Sequence, residues 1–102
     1  MVGMGDMMGM MKKAKQMQKD MEKMQKDLEK VEMSSTIADM VTVTVSGKGD
    51  MKALKIEDSA MADKETLEDM ILAAFNDAKD KANAHTEAEM KKITGGINIP
   101  GF

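Results

Sequence analysis

Between Met7 and Val31 the apolar side chains fall at Met7, Met10, Ala14, Met17, Met21, Met24, Leu28 and Val31, in alternating steps of three and four. That spacing is a heptad seam. The stretch holds no Pro, no β-branched residue before Val31 and no Gly after Gly9, and Met, Lys, Gln and Glu all favour helix, so one helix from about Met7 to Glu32 is predicted. At ~1.5 Å per residue it would be roughly 38 Å long. This is more than the rest of so short a chain can cover. The seam Met10, Ala14, Met17, Met21, Met24, Leu28 and Val31 therefore predicts a partner helix, supplied first of all by a second copy. Dimerisation through the sheet is the alternative, and would leave part of the seam free.

Beyond Met40 the period drops to two: Val41, Val43 and Val45 fall on one face, Thr42 and Thr44 on the other. Alternation of β-branched residues predicts a half-buried strand. Ser46-Gly47-Lys48-Gly49-Asp50 reads as a hairpin loop, Met51 to Ile56 as an antiparallel return strand, and Met33 to Ile37 as a third strand completing a meander. Gly47 and Gly49 beside Lys48 suggest a phosphate loop, but no helix follows and no Gly-Lys-Ser/Thr is present, so a turn is the reading kept. Asp63 can cap a second helix, with Glu65, Glu68 and Asp69 in its first turns. Its apolar face is Leu67, Met70, Ile71, Ala74, Phe75, Ala78 and Ala82, and Gly95-Gly96 ends it after Ile93. The expected fold is α+β in the order α-β-β-β-α, a single domain over residues 1–102, with a flexible Met/Gly segment at 1–6 and an extended tail at 97–102.

Composition narrows the chemistry. The chain has 102 residues, 15 Met, two Phe, and no Trp, Tyr or Cys. Disulfides, thiolate metal sites and cysteine nucleophiles are excluded. Met4, Met7, Met8, Met10 and Met11 offer soft thioethers for Cu(I), yet seam packing already accounts for Met7 and Met10, so neither metal nor cofactor is expected. The single histidine, His85, lies in the polar run Asn83-Ala84-His85-Thr86-Glu87 and reads as a solvated helix residue. With no triad spacing either, an enzyme with a small-molecule substrate is not expected. No run of ~18 apolar residues could span a bilayer. The Met-rich start lacks the basic leader of a secretory signal, and a cytoplasmic protein is expected.

Net charge is -3 with a pI near 5.1, so the molecule as a whole does not attract a polyanion. Locally the balance reverses: residues 12–30 carry seven Lys against Asp20, Glu22, Asp27 and Glu29. With Met7 at heptad position a, Lys12, Lys19 and Lys26 fall at f, Lys15 at b, and Lys23 and Lys30 at c, opposite the seam. One reading is a solvated face with i,i+4 pairs such as Glu22 to Lys26. The other is a row of point charges that tracks phosphates without reading bases, since the chain has no Arg to engage guanine bidentately.

Four segments, Met11-Lys12-Lys13-Ala14-Lys15-Gln16-Met17-Gln18, Val41-Thr42-Val43-Thr44-Val45-Ser46-Gly47, Leu67-Glu68-Asp69-Met70-Ile71-Leu72-Ala73-Ala74-Phe75-Asn76-Asp77-Ala78 and Pro100-Gly101-Phe102, resemble the YbaB/EbfC family of bacterial nucleoid-associated proteins. The likeness spans nearly the whole chain. It implies a homodimer of α-β-β-β-α chains with projecting helices, located in the nucleoid and binding double-stranded DNA, with roles in nucleoid organisation, gene regulation or repair. Two departures stand out: Ser34-Ser35-Thr36-Ile37-Ala38-Asp39 replaces the family's usual Gly-rich link, and Arg is missing. The competing reading is a homodimeric adaptor that docks on replication or recombination proteins through the acidic second helix and the Met-rich end, without touching DNA.

Overall fold

The computed structural model describes residues 4–95. Helix α1 spans Met4–Lys30, strands β1, β2 and β3 span Glu32–Ile37, Val41–Ser46 and Met51–Ile56, and helix α2 spans Lys64–Thr94 after a single 3-10 turn at Asp58–Ala62. The α-β-β-β-α order expected from the pattern is the order observed. The tail at 97–102 lies outside the described residues.

Helix α1 departs from expectation at both ends. It is already helical at Met4, within the segment expected to be flexible, and it runs through Gly5 and Gly9 although each glycine costs ~1 kcal/mol relative to alanine. It stops at Lys30, and Glu32 opens β1 instead of closing the helix. The cause lies outside α1: the Gly47 N–H donates to the carbonyls of Leu28 at 2.8 Å and Val31 at 3.1 Å, satisfying groups that would otherwise continue the helix. Only glycine fits there, because a Cβ on Gly47 would sit 2.8 Å from both Leu28 Cδ2 and Leu28 O. On its other side the Gly47 carbonyl accepts from Thr86 Oγ1 of α2 at 3.0 Å. One buried glycine thus joins α1, the β2 end and α2.

The sheet has the order β1-β2-β3, all antiparallel, with Ser35 opposite Val43, Val43 opposite Leu54, and a bulge at Thr44/Val45. Central β2 buries Val41, Val43 and Val45 completely, and α2 lies across β1 and β2 on that face. Met70, Ala74, Ala78 and Ala82 make the contact. Their spacing of four places them on one helix stripe, and three alanines let the helix axis approach the sheet closely. The opposite face carries hydroxyl pairs, Ser34–Thr44 at 2.7 Å and Thr36–Thr42 at 2.8 Å. The turn from β1 to β2 is left-handed, with φ of 54° at Ala38 and 57° at Asp39, closed by Met40 N–H to Ile37 O at 3.0 Å. An alanine in that region costs ~1 kcal/mol, which a glycine in its place would avoid.

Ser35, buried in β1, donates its hydroxyl to Asp77 Oδ2 of α2, which also faces Lys81 Nζ at 3.6 Å. The Ser35 hydrogen bond, with a smaller contribution from Lys81, holds the Asp77 carboxyl below its ordinary value of 3.8. A carboxylate depressed in the folded state stabilises the fold above its unfolded pKa, and that contribution vanishes as pH falls through the folded value. Asp77→Asn is therefore expected to flatten the stability curve below about pH 4 while leaving its slope near neutrality unchanged, as measured by denaturant midpoints across pH.

The molecule is a rod, 71 by 20 by 16 Å, with a radius of gyration of 19.8 Å against ~13 Å for a compact chain of this length. Thr86 meets Gly47 beside Leu28, while Glu89 and Ile93 lie against Asp20, Met24 and Asp27, so the C-terminal half of α2 runs antiparallel to α1. Past that overlap α1 continues with no other described residue over it, and residues 7–16 are all exposed.

Candidate nucleic-acid interface

Helix geometry spreads Lys12, Lys15, Lys19, Lys23, Lys26 and Lys30 along the outside of α1, and all six are exposed. Among the described residues the ion pairs within 4.0 Å are Lys48–Glu29, Lys55–Glu57, Lys81–Asp77 and Lys92–Glu89, none of which uses a lysine of this row. The Glu22 to Lys26 pairing of the solvated-face reading does not form. Asp20 is engaged elsewhere, accepting from Gln16 Nε2 at 2.9 Å.

The row is not uniform. Lys12, Lys15 and Lys19 stand on or at the root of the projecting arm. Lys23 borders a cleft between α1 and α2 that it shares with Asp20, Asp27 and Glu89 over a floor of Met24 and Ile93. Three carboxylates there lower the local potential felt by an approaching phosphate. Lys26 and Lys30 sit near the sheet, where the fold adds two cations that helical periodicity did not reveal. Lys48 of the β2–β3 hairpin pairs with Glu29 Oε1 at 3.0 Å, and Lys52 lies near enough to act on the same carboxylate. Chiefly through its hydrogen bond and charge interaction with Lys48, Glu29 is held below its ordinary value of 4.5. The only signal in the sequence was one lysine inside the predicted turn and another just after it.

The heptad seam divides likewise. Met24 and Leu28 are 5% and 3% exposed, covered within this chain rather than by a second copy, with Ile93 of α2 against Met24 and Gly47 against Leu28. Met17, Met21 and Val31 are half-buried, whereas Met10 and Ala14 are exposed. The partner helix that the seam requires is, over its C-terminal third, α2 itself. A second apolar surface lies on the β3 side of the sheet, which α2 leaves open: Met51 and Leu54 are each 45% exposed beside half-buried Ile71 and Phe75. Among the described residues no cluster of His, Cys, Asp and Glu could hold a metal, and no helix is long and apolar enough to cross a membrane.

A three-stranded sheet under one helix, extended into a rod by a second helix with an unpaired row of lysines, defines a class of small α-β-β-β-α proteins with a basic projecting arm. Residues 4–97 match the model of the YbaB/EbfC DNA-binding family, and the chain belongs to that family. It is 47% identical over 103 residues to a nucleoid-associated protein of Brucella anthropi, and 48% identical to one of Brucella ovis, in each case covering 97% of this chain and 96% of the relative. A crystal structure of an uncharacterized protein from Helicobacter pylori shares the fold with a TM-score of 0.77 at 21% identity, covering 93% of this chain and all of that one.

Proposed function

We propose that this protein is a nucleoid-associated homodimer that binds duplex DNA through its backbone phosphates, using Lys12, Lys15, Lys19, Lys26 and Lys30, with Lys23 contributing less and Lys48 and Lys52 extending the track. The observation that supports it is the row of exposed α1 lysines, which form no ion pair among the described residues, on a chain whose net charge is negative. A protein of that balance approaches a polyanion by one face only, which orients it on the duplex. Without arginine, binding depends on charge and shape and discriminates weakly between sequences. Roles in nucleoid organisation, gene regulation or repair are all served by such binding.

A gel-shift series over salt tests the reading. Log affinity should fall linearly with log salt at about -0.9 per phosphate neutralised, with similar slopes on unrelated duplexes. Absence of duplex binding at ~150 mM salt, where charges further than ~8 Å apart are screened, would instead favour the adaptor that docks on replication or recombination proteins. That second reading is supported by the exposed Met7, Met8, Met10 and Met11, adaptable side chains suited to protein contacts.

The dimer itself draws on the open β3 flank, since the seam is already partly filled within the chain. Leu54→Asp with Met51→Asp is expected to convert the dimer to a monomer of 11.2 kDa in sedimentation, while Met10→Asp leaves it intact. The reverse pattern would return the interface to the α1 seam, through Met10, Ala14, Met17 and Met21.

A further inference from the structure

The methionines at the start of α1 serve neither the core nor the phosphate track. Met7, Met8, Met10 and Met11 are 58%, 59%, 68% and 58% exposed, whereas Met24 on the same helix and Met70 on α2 are 5% and 7% exposed. Among the described residues the other exposed methionines, Met51 and Met61, stand singly on β3 and on the 3-10 turn. With no Cys, Trp or Tyr in the chain, thioether sulfur is its most readily oxidised group. That sulfur is concentrated in the projecting arm.

We propose that Met7, Met8, Met10 and Met11 form a reversible oxidation site: peroxide or hypochlorous acid turns their thioethers into sulfoxides, the tip of α1 loses its helix, and the lysine row is shortened at its N-terminal end. The step balances. A sulfur lone pair attacks one peroxide oxygen, the S–O bond forms as the O–O bond breaks, and sulfur gives up two electrons; the departing hydroxide takes the proton of the transferred oxygen and leaves as water. With hypochlorous acid chloride leaves and the proton goes to solvent. Reversal takes a dithiol enzyme of the sulfoxide-reductase class, which returns two electrons and two protons and releases the oxygen as water.

Only this part of the chain responds, for two physical reasons. The core that seats α2 on the sheet is built from Val41, Val43, Val45, Ala74, Ala78 and Ala82 with Met70 shielded, so it presents no open thioether to the oxidant. The tip is held differently. Gly9 interrupts it, a Cβ built there would meet no described atom within 4 Å, and what keeps it helical is the propensity of residues such as methionine. A helix end without lateral support is marginal in water. A sulfoxide is polar and chiral, and its oxygen competes for backbone N–H groups as short polar side chains do. Four such changes within about one and a half turns favour the unwound chain. Lys12 and Lys15, which follow directly, then lose the fixed spacing with which they meet successive phosphates. That last consequence rests on the duplex-binding reading; the oxidation site does not.

The test treats the full chain with hydrogen peroxide, maps the sulfoxides by peptide mass spectrometry and compares hydrogen exchange before and after. Met7, Met8, Met10 and Met11 should oxidise about tenfold or more faster than Met24 and Met70. Amides of residues 7–16 should then exchange about tenfold faster, while those of β2 and of residues 70–82 stay unchanged and report an intact core. Incubation with sulfoxide reductases of both epimer specificities and a thiol should restore the original exchange. The variant Met7→Leu/Met8→Leu/Met10→Leu/Met11→Leu keeps good helix formers without the sulfur, and its arm should not respond to peroxide, which separates the tip from Met51 and Met61. Uniform oxidation of all methionines, arm exchange that peroxide leaves unchanged, or an equal response from the leucine variant overturns the proposal. On the same samples a gel shift should show duplex affinity about threefold weaker after oxidation, with a salt slope lower in magnitude by about one. Reduced protein that fails to bind duplex refutes the duplex-binding reading alone, since the mass map and the exchange still decide the oxidation site. A loosened arm with unchanged duplex affinity overturns the shortening of the lysine row.

Discussion

Replacing Lys19 and Lys26 together by glutamate is expected to weaken duplex binding about thirtyfold or more at ~150 mM salt, on all sequences alike, and to reduce the magnitude of the salt slope by about two. Both side chains are exposed and neither forms an ion pair among the described residues, so the change alters charge without removing an ion pair of the fold. Far-ultraviolet circular dichroism should therefore match the wild type. Each lysine that neutralises a phosphate releases a condensed counterion, and a glutamate at the same position repels the phosphate as well. Lys23→Glu alone should lose less than Lys19→Glu alone, since Lys23 already shares its cleft with Asp20, Asp27 and Glu89. Lys48→Glu should weaken binding and also place a carboxylate against Glu29, across what is now a 3.0 Å ion pair. Binding indifferent to the Lys19/Lys26 reversal, measured by gel shift over the salt series, would remove α1 from the interface.

What the sequence disclosed and what it hid follow from how far apart the deciding groups lie. Helix α2 was legible because its signals are local: Asp63 Oδ1 accepts from the N–H groups of Glu65 at 3.1 Å and Thr66 at 3.3 Å, and Gly95 closes the other end. Strand β2 was legible from Val41, Val43 and Val45 for the same reason. The end of α1 was not, because the group that stops it is the N–H of Gly47, reached only after two strands. Strand β1 showed little alternation because its buried residue is polar: Ser35 faces α2 only by virtue of Asp77, a partner 42 residues away. Heptad spacing announced that one face of α1 is covered but could not name the cover, which is α2 at Met24 and the Gly47 turn at Leu28. In the basic surface, helical periodicity revealed the α1 row, while Lys48 and Lys52 join it through a hairpin that folds back beside Glu29.

The largest loss of stability is expected from Ala78→Leu. Ala78 is fully buried, midway along the stripe of Ala74, Ala78 and Ala82 that seats α2 on Val41, Val43 and Val45. Three extra carbons there have no cavity to enter, so the helix must lift from the sheet or the valines must leave their rotamers. Overpacking of this kind costs ~1–3 kcal/mol and sometimes more. In a domain of about this size each kcal/mol lowers Tm by ~4–8 °C, so a fall on the order of 10 °C is expected by calorimetry. Ala73→Leu, five positions earlier and exposed, should leave Tm within ~2 °C and serves as the matched control. Lifting α2 also draws its C-terminal half away from Met24 and Gly47, so the root of the arm should lose hydrogen-exchange protection together with the core. Should Ala78→Leu melt like the wild type, the close seat of α2 on β2 would be wrong, and with it the account of how a sheet at one end of the rod holds a helix at the other.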